Sequence, residues 1–236
     1  MAGWEMLNDL NLFIKRGADE AARQQNRFQF LSSIITKCQC FNGMIRTTMS
    51  RNQAYEFLCM GMFIERIDMT TRTLDITTGI LLSRPDANRA FDSHIWLEIL
   101  KAQNAVSMYR NTNGPRLSPR VILRFLINDS DFPRSMKHCL TGMQQMTGIL
   151  PDSQTFTGQI KTLVLNLETY KTRDDQDEIE AADLRQFFDT TQTGVNDLHQ
   201  TIANTWFLNV PTAQTHNEFQ SQTQTQTQTY DQNENA

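Results

Sequence analysis

From Trp4 to Trp206 apolar side chains return every three or four positions, and no alternating run long enough to make a strand interrupts them. That period places carbon along one side of a helix, so the chain must solve its burial problem by packing helices on helices. The closing segment shows the pattern best. Leu184, Phe187, Phe188, Thr191, Val195, Leu198, Ile202 and Trp206 hold one face for about six turns. The expected fold class is all-α, a helical bundle of about eight helices.

Breaker and cap residues set the expected boundaries. Trp4, Leu7, Leu10 or Asn11, and Ile14 mark a first helix ending near Gly17. Phe28, Leu31, Ile34 or Ile35, Cys38 and Phe41 mark a second, stopped at Gly43. Ser50 followed by Gln53 reads as a capping box for a third, which Pro85 terminates after Ser83-Arg84. A fourth runs from Ser93 to Arg110, with Ile95, Trp96, Ile99 and Leu100 inward, and the Asn/Gly/Pro-rich stretch 111–117 is a loop. Ser118 caps a short fifth helix with Pro119 at its first position, and Asp131-Phe132-Pro133 opens the sixth, which carries Leu140, Met143 and Met146. Ile160, Leu163, Leu167 and Tyr170 define the seventh, and the acid-rich stretch 174–180 is a solvated connection to the last. Pro211 ends that last helix. The domain organisation is therefore a helical domain over 1–210 and a Gln/Thr-rich tail over 211–236, too poor in apolar side chains to offset the entropy of ordering and so expected to be disordered.

Charge narrows the partner classes. The formal net charge is −4, of which the tail carries Glu218, Asp231 and Glu234 with no Lys or Arg, leaving −1 for the body. Nucleic acid and anionic membranes both require a basic excess, so neither is an expected partner. No run approaches the ~18 apolar residues of a membrane span. Met-Ala-Gly-Trp-Glu has no charged segment followed by an apolar one, the mark of a secretory signal. Cys38 and Cys40, two apart on a helix, point away from each other, which excludes a local zinc clip and disfavours a local disulfide. With Cys59 and Cys139 they make four free, mostly core-like thiols, which suit a reducing compartment and a cytoplasmic location.

Residues 48–75 carry charge where a bundle helix usually buries carbon. Glu65, Asp68, Arg72 and Asp75 are spaced 3, 4 and 3, so they share one stripe, with Arg66 beside it. Alternating acid and base neutralise each other, and the expected role is a partly buried salt-bridge seam fixing helix register. The same stripe could instead line a pocket for a small ligand or a charged peptide end. Arg134 and Ser135 follow Pro133 at a helix start, where free N–H groups favour an anion or a neighbouring carboxylate. His94, His138 and His199 stand on separate helices, without the i, i+4 spacing of metal ligands, and read as surface or packing residues. Dinuclear sites in bundles use Glu-x-x-His pairs, and the sequence has none, so no metal and no cofactor are expected. Phosphate loops and nucleophile elbows are absent too.

Ordered motifs carry a family resemblance. Met49-Ser50-Arg51, Gly61, Ile64-Glu65-Arg66-Ile67-Asp68 and Arg72-Thr73-Leu74-Asp75 resemble the central helix of the alpha-E family, all-helical bacterial proteins. Trp4-Glu5-x-Leu7-Asn8, Phe125-Leu126 with Asp131-Phe132-Pro133-Arg134-Ser135, and Leu198-His199-Gln200 through Trp206-Phe207 resemble further family segments in the same order. Relatives look like two tandem repeats, each with a Leu-Glu-Arg helix, whereas one such helix occurs here. The expectation is a shortened member, a split gene product or a fragment, and the apolar face left uncovered by a missing half calls for self-association or a chain supplying the other repeat. The resemblance implies work beside ATP-grasp-type ligases and transglutaminase-like proteins. Two functions follow as expectations: a non-catalytic helical partner or scaffold for amide formation or peptide modification, or an enzyme or ligand-binding protein. The second would use Glu65, Asp68 and Arg72 with Arg134 to bind an amino-acid or peptide carboxylate.

Overall fold

The computed structural model describes residues 2–23, 26–82, 89–175 and 181–208. Among them are nine α-helices and no strand: α1 (Ala2–Ala22), α2 (Arg27–Thr48), α3 (Gln53–Leu82), α4 (Arg89–Ala102), α5 (Val106–Asn113), α6 (Pro119–Asn128), α7 (Met136–Met146), α8 (Gln154–Asp175) and α9 (Ala181–Ile202). A π-helical turn, Ala203–Leu208, extends α9. The Gln/Thr tail, the stop at Pro211 and most of the acid-rich connection lie outside the described residues.

Contacts group the chain into two compact units, Met1–Met62 and Phe63–Ala236. In the first, α1 and α2 form an antiparallel hairpin. Gly3 lies under Met44 at one end and Gly17 under Phe30 at the other. Phe13 stacks on Phe30 with centroids 5.3 Å apart, and the Lys37 ammonium sits 5.3 Å from the Phe13 ring. Neither Gly17 nor Gly43 ends its helix, contrary to the sequence expectation. A Cβ at Gly17 would stand 2.6 Å from the Phe30 ring, so that glycine serves close packing and lets α1 continue to Ala22. The third helix also differs at its start. Its first turn is capped by Asn52, whose Oδ1 accepts the Tyr55 N–H at 3.3 Å, and not by Ser50.

The second unit holds the core. α8 packs along α9 and against α6 and α7, and α4 and α5 pack with α6. Tyr109 meets Phe125 edge-on at 5.6 Å, and Phe125 stacks on Phe132 at 4.8 Å. Gly194 lets α9 approach α8, since a Cβ there would be 2.6 Å from Leu163.

The expected single helix over 93–110 is two. Asn104 adopts φ +52°, Ala105 N–H donates to Leu100 at 2.7 Å and Asn104 N–H to Lys101 at 2.9 Å. This is a left-handed helix stop with its two closing bonds, and Asn tolerates that conformation better than any residue but glycine. α5 then extends into the expected loop as far as Asn113, where Gly114 at φ +78° ends it. α7 likewise begins at Met136 rather than at Asp131, because the intervening residues form a turn of their own.

Candidate functional site at the α3–α7 junction

That turn is built from short polar side chains. At the end of α6, Asp129 Oδ1 accepts the N–H groups of Asp131 and Phe132 at 2.9 and 2.7 Å, which bends the chain. Ser135 is the N-cap of α7: its Oγ accepts the His138 N–H at 3.1 Å and donates to the Asp129 carbonyl. His138 Nδ1 stands 2.8 Å from the Ser130 carbonyl, so Nδ1 carries the proton. Ser135 and His138 are thereby spent on holding the turn.

α3 braces the same turn from the side. Arg66 Nη1 donates to the Pro133 carbonyl at 3.2 Å, and Thr70 Oγ1 donates to the Arg134 carbonyl at 3.3 Å. One turn earlier the Phe63 ring meets His138 edge-on at 6.4 Å and presses on Gly142, where a Cβ would lie 2.6 Å from it. The sole Glu-Arg dipeptide in the sequence, Glu65-Arg66, thus sends its arginine to the backbone of the Phe-Pro-Arg-Ser segment.

The charged stripe is placed differently from the expected seam. Arg72 Nε donates to both Asp68 oxygens, at 2.9 and 2.8 Å, but the two side chains are 51% and 21% exposed. The hydrogen bond to Asp68, then the charges of Asp68 and Glu65, hold the Arg72 guanidinium above its ordinary pKa. Glu65 is exposed and Asp75 half-buried. Past Glu56, which is buried in its first turn, the polar residues that α3 buries are threonines: Thr70, Thr71, Thr77 and Thr78, flanked by Ile67 and Leu74. Thr71, Thr77 and Thr78 donate to carbonyls one turn back at 2.7 to 2.9 Å, which satisfies each hydroxyl without a charge.

Cys139 lies beside the junction. Burial pushes its thiol up to about 12, against the opposing pull of the Arg66 and Arg134 guanidinium groups. Such a thiol stays protonated and is not a nucleophile near neutrality. Cys59 is buried as well, whereas Cys38 is half-buried and Cys40 exposed, so only two of the four thiols are core residues. Half-buried Arg134 has no hydrogen-bond or ion-pair partner for its guanidinium among the described residues. Of the sequence candidates, then, Arg66, Arg134 and Ser135 converge on one turn, while Glu65, Asp68, Arg72 and Asp75 run along the neighbouring surface of α3. Asp129, Thr70, His138 and Cys139 complete the junction without having been singled out as its members. Asp three residues before Phe132 is the turn signal that marks the first of them.

Elsewhere, a cavity of about 430 Å³ runs between α8 and α9, lined by Gln159, Asn166, Asp189, Thr193 and Asp197 among others. Among the described residues no group of three or more His, Cys, Asp or Glu is placed to hold a metal ion, and no helix is long and apolar enough to cross a membrane.

Comparison with known protein families gives a match over most of the chain. The Alpha-E family model, described as a predicted alpha-helical domain with a conserved ER motif, covers residues 2–207. No curated protein and no solved structure matches the chain.

Proposed function

The chain belongs to the Alpha-E family, and on that premise we propose that it acts as a non-catalytic helical partner or scaffold for an ATP-grasp-type amide-forming ligase or a transglutaminase-like, peptide-modifying protein. The observation that supports this reading is how the Glu-Arg motif is used. Arg66 is directed to the Pro133 carbonyl and Ser135 to the cap of α7, so both act as struts that fix the α3–α7 junction as a rigid surface. The nearby thiol is held neutral by burial. A braced surface of this kind presents Glu65, Asp68 and Arg72 outward to a partner.

The test is co-purification of the tagged full chain with an ATP-grasp-type protein from the same genome. The reading expects retention of the ligase by the wild type and by Glu65→Gln with unaltered melting, and no turnover by the isolated chain. Adenylation or ligation of an amino acid by the isolated chain, abolished in Glu65→Gln, would overturn it.

One observation favours a second reading. Among the described residues the Arg134 guanidinium has no partner, and like Arg66 it lies close enough to Cys139 to act on its thiol; such a group suits the carboxylate of an amino acid or peptide end. Arg134→Gln would then abolish the binding of such a ligand while leaving ligase retention intact.

A further inference from the structure

The α1–α2 hairpin buries one stripe of each helix and leaves much of the next one bare; on α2 the bare part is Phe28 to Ile35, since Cys38 and Asn42 are half-buried and Ile45 is buried. Gly3, Phe13 and Gly17 face α2, and Phe30, Phe41 and Met44 face α1. One position further along each helix, Trp4, Leu7 and Ile14 are 71%, 47% and 37% exposed, and Phe28, Leu31 and Ile35 are 84%, 49% and 56% exposed. A step of one residue is a rotation of about 100°. In antiparallel helices that rotation turns both stripes to the same side, so the six side chains form one face. Applied to side chains of these types, the fractions correspond to roughly 700 Å² of uncovered, mainly apolar surface, close to the ~800 Å² that each partner contributes to a standard interface.

We infer that this face is closed by the same face of a second copy of the chain, giving a four-helix layer of two stacked hairpins. Three observations select a second copy over another occupant. Asn11, exposed, interrupts the α1 stripe midway between Leu7 and Ile14. An amide both donates and accepts, so it can pair with its own image across a two-fold axis. Gly3 under Met44 and Gly17 under Phe30 set the hairpin register, which puts Ile35 at nearly the same level as Asn11. One axis across the hairpin therefore serves both helices, with Asn11 on Asn11 and Ile35 on Ile35. About that axis α1 runs antiparallel to its copy, which sets Trp4 over Ala18, and Glu5 at one end of the rim against Lys15 and Arg16 at the other. Large meets small and acid meets base. A lone asparagine in an apolar helix seam is also a known device for fixing register.

This goes beyond the partner role and stands or falls separately, because it needs no other protein. Sedimentation equilibrium of the full chain from about 1 to 100 μM should give twice 27.2 kDa at the upper end. Ile35→Glu should remain at 27.2 kDa across that range with an unchanged helical circular dichroism spectrum. Asn11→Asp puts two carboxylates on the axis, so it should associate at pH 4 and dissociate at pH 7 by at least tenfold in Kd. A wild type that stays at 27.2 kDa throughout would overturn the inference and give the face to a different chain. A dimer indifferent to both substitutions would overturn it as well, by placing the contact elsewhere.

Discussion

Two antiparallel helix pairs in this protein close on the same device and end with opposite surroundings. In α1–α2 a glycine sits under Phe30, and in α8–α9 a glycine sits under Leu163, each with its missing Cβ 2.6 Å from the neighbour. Around α8–α9, α6 and α7 add a further layer, and Phe156, Phe188, Val195 and Leu198 are almost completely buried. In α1 and α2, Ala21 and Ile45 are the residues that reach that state among those described. The comparison separates two things that a glycine contact is often taken to do together. Close approach decides which helices pair, but a core needs a third element, and apolar periodicity alone does not say whether one is supplied by the same chain.

The comparison breaks most visibly if the aromatic residues of the two pairs turn out equivalent. Phe188→Ala should lower stability by about 3–5 kcal/mol, from lost burial and the cavity left behind. Phe28→Ala, measured by thermal melting at low micromolar concentration, should stay within about 0.5 kcal/mol of wild type. Next come the glycines. Gly194→Ala forces buried Leu163 aside and should cost about 1–3 kcal/mol. Gly17→Ala should cost less, because the half-buried Phe30 ring can swing and alanine returns up to about 1 kcal/mol of helix propensity.

The thiols sharpen the contrast chemically. Cys40 of the hairpin is exposed and should alkylate readily in the native chain at pH 8, whereas Cys139 should react only on unfolding. Because burial raises the Cys139 pKa from 9.0 to about 12, neither folded nor unfolded chain ionises it below pH 9 and stability there is unaffected. Between those two values only the unfolded chain loses the proton, so stability falls as pH rises. Cys139→Ala should flatten that alkaline slope in a series of melts. Modest effects belong to α3. Arg66→Met removes the brace to Pro133 and should cost about 1 kcal/mol. Arg72→Ala breaks a solvent-facing pair and should leave the melting temperature where it was at any salt concentration.

Much of this was legible beforehand, and the exceptions have physical causes. The apolar stripe from Leu184 to Trp206, Pro119 at a helix start and the end of α3 near Leu82 all follow from local chemistry. Gly17 and Gly43 misled because a glycine looks the same in sequence whether it ends a helix or admits a neighbour. Asn104 split an expected helix through a left-handed conformation that asparagine adopts only when closing bonds reward it. The Asp129–Ser135 turn displaced the start of α7 for a related reason. Its side chains satisfy the backbone locally, and helix formation waits until Ser135 can cap it.

The charged stripe shows the same boundary at the candidate site. Spacing alone established that Glu65, Asp68, Arg72 and Asp75 share one side of a helix and that Arg72 can reach Asp68. Whether that side faces carbon or water is not written in the spacing, since threonine and charge can both line a polar stripe. Packing gave the buried row to Thr70, Thr71, Thr77 and Thr78, whose hydroxyls bond to nearby carbonyls, and left the ions where water solvates them. By itself, then, the sequence determined an all-helical chain, its family and which residues lie on a common helix face. The tertiary structure alone decided that Arg66 braces Pro133, that the threonines rather than the stripe from Glu65 to Asp75 are buried, and that the hairpin keeps an apolar side partly bare. Helical period is a property of neighbouring residues, whereas burial depends on what arrives from far along the chain.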